Sequence, residues 1–257
     1  MTFAPGRILG LILAATAATA VLTGCTADDG TSPRPATPAV SAAAPSAQLA
    51  DAARQLKQTS FAMKLTIGLS QGAGTLTGTL DPVKKAGAFT ATTSGRGDDR
   101  TITEWRMIGT TLYAKSTTNG VATNAKRPWR RLKSEPTDGL ATSFDAASMA
   151  QALTKATGVQ RTDGTHFTGT LDGATASSAF GLRAPTTSGQ IGASTPAPTS
   201  VAFTADIDDR HHLIGYRATL TSSTGESRNA SLTFSDFGTT VTAQPPPPGQ
   251  IAGSTIG

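Results

Sequence analysis

The stretch Phe61–Ser70, FAMKLTIGLS, decides the fold of this chain because its side chains alternate between two kinds. Every second position from Phe61 to Leu69 is large and apolar, and the positions between them carry Ala, Lys, Thr, Gly and Ser. Successive side chains of a strand point to opposite faces of a sheet, so the pattern predicts a β-strand with one buried and one solvated face.

Similar short runs, separated by Gly, Asp and Asn turns, follow along the chain. Because they succeed one another closely, they favour an antiparallel sheet. The predicted strands are 74–82, 86–93, 100–109, 110–117, 128–132, 165–172, 200–209, 213–223, 229–238 and 239–243.

Two helices are predicted among these strands. The first covers 47–58, with Ser46 as its cap, and the second lies within 143–158, with Ser143 as its cap and Gly158 at its end. Their apolar positions recur at helical spacing: Leu49, Ala52, Ala53 and Leu56 in the first, and Phe144, Ala147, Met149, Ala150 and Leu153 in the second. Strands and helices together predict an α+β domain from 46 to 243.

Low-complexity segments interrupt and end this domain. Residues 183–200 contain prolines and small polar residues, which predicts a long surface loop, and 244–257 reads as a Pro-rich disordered tail. The pentapeptide TGTLD occurs at 77–81 and at 168–172. It is either the trace of an internal duplication or a chance match between two strands of similar composition.

The single cysteine, Cys25, stands at the end of an apolar segment. Arg7 precedes the uncharged run 8–22, which is shorter than the ~20 apolar residues of a membrane-spanning helix and suits an export signal. The sequence Leu22-Thr23-Gly24-Cys25 resembles a bacterial lipobox. That resemblance implies a signal peptide at 1–24, a diacylglyceryl group on Cys25 and a disordered tether at 25–45. The alternative is an unlipidated signal peptide with a chance cysteine.

Composition and motifs give no sign of catalysis. His166, His211 and His212 are too few and too dispersed for a metal site, and DDRHHL reads as a polar hairpin turn rather than a cation site. No nucleophile elbow, Ser-x-x-Lys box or phosphate-binding glycine loop occurs. The sequence therefore predicts a protein that is not an enzyme and uses no cofactor, although a hydrolase without a recognisable motif remains a third hypothesis.

The net charge of +5 is modest and does not indicate a nucleic-acid partner, although it allows attraction to an anionic membrane. One basic cluster surrounds a tryptophan, which suits a membrane surface or an anionic headgroup. Its candidate residues are Lys126, Arg127, Trp129, Arg130, Arg131 and Lys133. The alternative is an edge strand whose outward charges prevent aggregation, with Trp129 turned inward.

The order of these parts resembles the actinobacterial LppX and LprG type lipoproteins. The resemblance rests on the opening helix followed by SFAMKLTIG, on ITEWRMIGTTLYAKS with Trp129 after it, on THFTGTLDG and on FTADIDDRHHLIGYRATL. It implies a LolA-like fold, in which a strongly curved antiparallel half-barrel carries helices on its concave side around an apolar cavity. It also implies a lipid or lipoglycan carrier. The low-complexity loop departs from the family pattern.

If such a cavity exists, the best candidates for its wall are Phe61, Met63, Leu65, Ile67, Leu76, Met107, Leu112, Met149 and Leu153. Plain core packing is the alternative for each of them. We therefore expect a monomeric, extracytoplasmic lipoprotein, anchored to the cell membrane, that binds lipid. The alternative is a structural or regulatory envelope module with a filled core and an unknown protein partner.

Overall fold

A large, curved antiparallel sheet organises the chain, as the sequence predicts. The computed structural model describes residues 43–69, 72–94, 99–133, 146–180, 200–221 and 227–252. The strands in these ranges are β1 Phe61–Leu69, β2 Gly72–Asp81, β3 Ala86–Ser94, β4 Arg100–Ile108, β5 Thr111–Thr118, β6 Val121–Ala122, β7 Trp129–Lys133, β8 Thr157–Arg161, β9 His166–Asp172, β10 Ser200–Ile207, β11 Leu213–Thr221, β12 Ser227–Ser235 and β13 Ile251–Ala252.

Strand β1 lies in the middle of this sheet, between β2 and β12. The order is β13-β7-β5-β4-β3-β2-β1-β12-β11-β10-β9-β8, with β6 paired to β5. Neighbouring strands are antiparallel except for β13 and β7, which run parallel. In the described chain the order ends at β13 and β8, so the sheet is an open half-barrel and not a closed one.

The alternation that predicts β1 also assigns the two faces of the sheet. Phe61, Met63 and Leu65 are buried, whereas Lys64 between them is exposed. The pairing registers carry this division from β1 across the other strands, which gives an apolar inner face and a polar outer face. The inner face is the concave one, and it carries the helices.

The helical layer consists of α1 Pro45–Gln55, α2 Ala146–Gln151 with a 3₁₀ turn at Ala152–Lys155, and α3 Gly173–Ala179. The predicted apolar positions of α1 are confirmed, since all four are buried. Of those predicted for α2 and its 3₁₀ turn, the described ones are also buried, whereas Phe144 and the proposed cap Ser143 lie outside the described residues. Gln151 Nε2 donates to Ala53 O at 2.8 Å and joins the two helices.

Two predicted helix boundaries are wrong. Pro45 takes the first helical position and Ala44 the N-cap, so Ser46 lies inside α1 and makes no cap. Proline is favoured there because its missing N–H has no partner within a helix. Gly158 does not end a helix but belongs to β8, where it has a φ of +59° beside an irregularity in the pairing with β9.

Helix α3 is an element that the sequence pattern does not reveal. Asp172 caps it: its carboxylate accepts the backbone N–H of Thr175 at 3.0 Å and also the Thr175 hydroxyl. The side-chain bond from Thr175, together with the backbone bond, lowers the pKa of Asp172. The cap compensates for a helix built almost entirely from small residues.

Near the carboxyl end, residues 239–243 do not form the predicted strand. Their contacts are made to the start of β1 instead, where Ser60 Oγ donates to Thr239 O at 2.5 Å and Gly238 N donates to Ser60 O at 2.8 Å. Val241 is buried and fixes the segment. The carbonyl of Thr239 thus accepts its hydrogen bond from the side chain of Ser60 and not from a neighbouring strand.

The prediction that the chain leaves the domain at 244 is also wrong. Arg106 Nη1 donates to Gln244 O at 3.2 Å, Pro246 is fully buried, and Ile251 pairs with Trp129. The Pro-rich segment is therefore packed on the sheet up to Ala252.

The repeated TGTLD segments have equivalent structural roles. In β2, Gly78 lies opposite Phe89, and in β9, Gly169 lies opposite Phe203. In both pairs the ring covers the glycine so closely that a Cβ there would come within 2.8 Å of a ring atom. Such glycines with an aromatic neighbour help a sheet to curve.

Candidate functional site

The helices contact only one part of the inner face extensively. Within the described ranges, α1 contacts β8 and β11, α3 contacts β9 and β10, and the 3₁₀ turn contacts β9. The inner side of β2, β3, β4, β5 and β7, which we call the β2–β7 half, has no comparable contact with the described helices. This half is the candidate functional site.

Polarity changes along the strands of the β2–β7 half. At one end, the paired positions Leu80, Gly87, Met107, Leu112 and Leu132 form an apolar row across β2, β3, β4, β5 and β7. Six residues further along the strands, the corresponding row is Gly74, Thr93, Thr101 and Thr118. The inner face therefore passes from hydrocarbon to hydroxyl within about 20 Å, at roughly 3.4 Å per residue.

Cross-strand pairs organise the hydroxyl end. Thr101 Oγ1 lies 3.1 Å from Thr118 Oγ1, and Thr103 Oγ1 lies 3.0 Å from Ser116 Oγ, so β4 and β5 are joined by side-chain hydrogen bonds. Each hydroxyl can still accept a further hydrogen bond. This end can therefore bind a polar group without giving up its own structure.

Burial follows the same gradient. Leu80 and Leu112 in the apolar row are 1% and 2% exposed, whereas Thr101 is half-buried and Thr118 is exposed. Between the two rows, Trp105 and Ala91 are half-buried. The apolar end is thus the closed end and the hydroxyl end is the accessible one.

The predicted wall residues divide into two groups. Those on the strands, from Phe61 in β1 to Leu112 in β5, share the inner face, and Ile67 and Met107 among them are only partly buried. Met149 and Leu153 are buried in the helical layer with α1 and α3. All of these residues belong to one apolar cluster, so the sequence identifies its members but not which part the helices cover.

The basic cluster does not form one surface. Lys126, Arg127, Arg130 and Arg131 are exposed, but Trp129 is only 3% exposed. Arg130 pairs with Ala114 on the inner face and Arg131 with Tyr113 on the outer face, while Lys133 pairs with Thr111 in the register.

Trp129 lies on the outer side of the sheet. The guanidinium of Arg106 lies 4.6 Å from its ring centre and Lys115 Nζ lies 5.9 Å from it, which are cation–π distances. Together with the neighbouring β13, these contacts keep the indole from reaching a membrane interface. The expectation that Trp129 contacts a membrane surface is therefore not met in this arrangement.

Two histidines form polar contacts away from the inner face. His166 Nδ1 lies 2.5 Å from Asp206 Oδ1, and this hydrogen bond, with the charge of Asp163, raises the pKa of the imidazole. His212 bonds to Asp208, whose carboxylate also accepts backbone N–H groups, so the predicted polar turn is confirmed. No group of three metal-binding side chains occurs among the described residues.

Some residues of the inner face are absent from the cavity-wall candidates predicted from the sequence. Trp105 lies between Met107 and Thr103 among the inward positions of β4, so the alternation of side chains along this strand is sufficient to predict its place on the inner face. Arg228 is missed because β12 begins at Ser227, before the first apolar position, Ala230. Counting backwards from Ala230 by two places Arg228 on the inner face.

Cys25, residues 26–42 of the tether and residues 183–199 of the low-complexity loop lie outside the described residues, whereas Pro45 begins α1 and Ser200 begins β10. In the part of the chain that is described, no helix has both the length and the apolarity required to cross a membrane.

Comparisons with known proteins give structural similarities only. No protein-family model matches the chain, and no curated protein matches it. A LolA superfamily protein from Nitrosomonas europaea matches at 10% identity with a TM-score of 0.30, covering 79% of this chain and 96% of the other. A beta-barrel-like protein of the family DUF1849 from Brucella abortus matches at 10% identity with a TM-score of 0.24, covering 70% and 97%.

An N-terminal dehydratase from the difficidin assembly line matches at 11% identity with a TM-score of 0.18, covering 73% of this chain and 81% of the other. At these identities and TM-scores the similarities assign neither a ligand nor an activity to this chain.

Proposed function

We propose that the protein is a membrane-anchored lipoprotein that binds the acyl chains of a lipid or lipoglycan on the β2–β7 half of its inner face. The observation that supports this most directly is the gradient from a closed apolar end to an accessible hydroxyl end. A membrane lipid has the same gradient from tail to head, so the two match in one orientation.

Acyl burial supplies the affinity in this proposal. Each methylene removed from water contributes about 0.8 kcal/mol, so a few methylenes placed against Met107, Trp105 and Leu132 give useful binding. Gly74, Ala91 and Ala114 provide a floor of small residues beneath them. The protein acts by enclosing the chains, without making or breaking a bond.

The second candidate is a structural or regulatory envelope module that has no lipid ligand. It is favoured by the burial of Phe61 and Leu112, at 0% and 2% exposure, because part of the inner face is already filled by the protein itself. In that case the half-buried residues of the β2–β7 half complete a core and have no ligand to meet.

Native mass spectrometry distinguishes the two candidates. The full chain carrying Cys25→Ser, which removes the proposed acylation site, is purified without detergent from a host with ordinary membrane lipids. A reproducible adduct of lipid mass supports the binder. An adduct-free protein that also takes up no added lipid supports the module.

The proposed anchor has its own test. The wild-type chain and the Cys25→Ser variant are separated into membrane and soluble fractions after expression in a bacterium that processes lipoproteins. We expect the wild type in the membrane fraction and the variant outside it. Equal membrane association of the two would show that the lipobox interpretation is wrong.

A further inference from the structure

Val121 is the most exposed large apolar side chain among the described residues, at 71% exposure. It pairs with Thr118 across the β5–β6 hairpin, so both side chains lie on the same face of the sheet. Thr118 belongs to the hydroxyl row at the accessible end of the β2–β7 half. Val121 therefore adds an apolar side chain to the mouth of the candidate site, where it contacts water.

The hairpin turn that precedes Val121 is held in place by hydrogen bonds. Asn119 and Gly120 have φ values of +51° and +80°, which is the geometry of a tight two-residue turn. Asn119 N donates to Arg100 O, and Asn119 Oδ1 accepts from Arg100 N, each at 2.9 Å. Asn119 Nδ2 also donates to Asp99 Oδ1 at 2.9 Å. The turn is thus ordered before it meets a partner, which reduces the entropic cost of binding.

The connection from Val121 to β7 remains close to β5 along its course. Thr123 N donates to Ser116 O at 3.2 Å, and Trp129 pairs with β5 where β7 begins. The whole connection therefore runs beside residues 115–118 of β5, a length of about 10 Å. Its side chains are close enough together to contact one partner.

This connection carries exposed positive charge. Lys126 and Arg127 are exposed, and Asn124 Oδ1 accepts from their backbone N–H groups at 3.2 and 3.0 Å. Residues 119–133 contain no acidic residue, and no carboxylate in the described ranges pairs with either basic side chain. Asp99, which bonds to the turn, is followed by an exposed arginine, so these two charges balance. The connection therefore has a net positive charge beside an exposed apolar side chain.

We infer that the β5–β7 connection, residues 119–128, docks on an anionic membrane surface, with Val121 entering the boundary between headgroups and acyl chains. Lys126 and Arg127 then lie at the lipid phosphates. Apolar side chains beside basic ones bind such surfaces through buried apolar area and through attraction to anionic lipids. The inference rests on the proposed lipid-binding function and adds the surface through which lipid reaches the site.

Docking at this connection places the mouth of the β2–β7 half against the membrane. Val121 and Thr118 are on the inner face, so the accessible end of that face opens next to the docked surface. Acyl chains can then pass between the bilayer and the apolar row without crossing bulk water. Exposing them to water on the way would cost about 0.8 kcal/mol for each methylene.

Val83 is a second exposed valine, at the opposite end of the strands. It lies in the β2–β3 turn, just beyond Leu80 of the closed apolar row. Lys84 beside it forms an ion pair with Asp81 at 3.2 Å, which neutralises one of the two lysines of this turn. Val83 is therefore similar to Val121 in size and exposure but does not lie at the mouth, which makes it a matched control.

The test places an environment-sensitive fluorophore on a single cysteine at either valine. Full-length Cys25→Ser protein carrying Val121→Cys or Val83→Cys is labelled and mixed with vesicles of equimolar phosphatidylglycerol and phosphatidylcholine. Both positions are exposed, so neither substitution should affect folding. The emission reports the surroundings of the label itself, whatever else in the chain holds the protein at the vesicle. We expect a shift to shorter wavelength at 121 and no change at 83.

Neutralising the basic residues tests the charge. Lys126→Gln together with Arg127→Gln should remove most of the shift at 121, since each basic residue contributes about a fivefold factor in affinity for an anionic surface. Lys84→Gln together with Lys85→Gln is the control and should leave the shift intact. Vesicles of phosphatidylcholine alone, and high ionic strength, should each give a smaller shift.

The outcomes separate the inference from the function on which it rests. Unchanged emission at 121, an equal or larger shift at 83, or a shift at 121 that survives loss of Lys126 and Arg127 overturns the docking surface and leaves lipid binding standing. A shift at 121 that needs no vesicles and rises with protein concentration shows contact between copies, and it also overturns the inference. The proposed function fails separately, if native mass spectrometry finds no lipid adduct on a protein whose label at 121 still shifts.

Discussion

Replacing Gly78 with alanine should destabilise the fold, because the inner face of β2 has no room for a methyl group there. A Cβ at this position lies 2.2 Å from Ala88 O and 2.7 Å from both Cα and Cδ1 of Phe89. The first two of these atoms are backbone of β3 and cannot move aside as the end of a flexible side chain can. The neighbouring strand must therefore shift.

The size of the effect follows from two opposing contributions. Overpacking of this kind costs about 1–3 kcal/mol, and the loss of glycine's freedom in the unfolded chain offsets about 0.4–1 kcal/mol of it. We expect a net loss of about 1–2 kcal/mol. For a domain of this size, that corresponds to a fall in Tm of about 2–8 °C.

Thermal and urea unfolding, followed by circular dichroism, measure this loss. Gly68→Ala is the control, because its Cβ meets Asn229 N and O at 3.6 Å, an ordinary contact, in the adjacent strand β1. We expect its stability to equal or slightly exceed that of the wild type. If the two variants have the same stability, the register that places Phe89 over Gly78 is wrong.

Three further predictions concern contacts outside the candidate site. Tyr216→Phe removes a buried hydroxyl that donates to a carbonyl at the end of α3, and should lower the free energy of unfolding by about 1–3 kcal/mol in urea titration; an unchanged midpoint contradicts the bond. Deleting 244–257 should uncover Trp129 and shift its emission to longer wavelength, and an unshifted spectrum contradicts the packing of the tail. NMR titration should give His166 a raised pKa that falls in Asp206→Asn, where only the charge of Asp163 still raises it, and its small contribution to stability should be present at low pH and lost as pH rises through that raised pKa.

Local alternation is sufficient to predict most of the sheet. In β1 the alternation of apolar and polar residues predicts which face of the sheet each side chain lies on. The strand and the burial of Phe61, Met63 and Leu65 can therefore be predicted without knowledge of the neighbouring strands. The same is true of α1, where Leu49 and Leu56 recur at helical spacing. In such elements the local pattern and the tertiary packing agree.

Other elements depend on contacts that no local pattern encodes. Helix α3 has no stripe of large apolar residues, and its position depends on Asp172 and on the hydrogen bond from Tyr216. Strand β13 consists only of Ile251 and Ala252 and forms because β7 offers an edge. The burial of Trp129 depends on the same pairing of β13 with β7.

The candidate site shows the same division. Its apolar members, such as Met107 and Leu112, follow from alternation, whereas the choice of the half that α1 and α3 cover is made by long-range packing. Arg228 shows the limit most clearly. Its sequence neighbours are polar, and only the register with β1 places it at the mouth of an apolar face.

The central claim is that acyl chains occupy the β2–β7 half, and the two tryptophans of the chain allow a direct test. Trp105 lies on the inner face of this half, and Trp129 lies on the outer face beneath the tail. Brominated acyl chains quench tryptophan fluorescence only at short range. Quenching is measured with brominated short-chain phosphatidylglycerol below its critical micelle concentration, in full-length Cys25→Ser protein.

Two variants each keep a single tryptophan as the reporter. Trp129→Phe retains Trp105, and Trp105→Phe retains Trp129. We predict saturable quenching of Trp105 and none of Trp129. Quenching of Trp129 alone, or of neither tryptophan at lipid concentrations up to the micellar limit, would contradict the account.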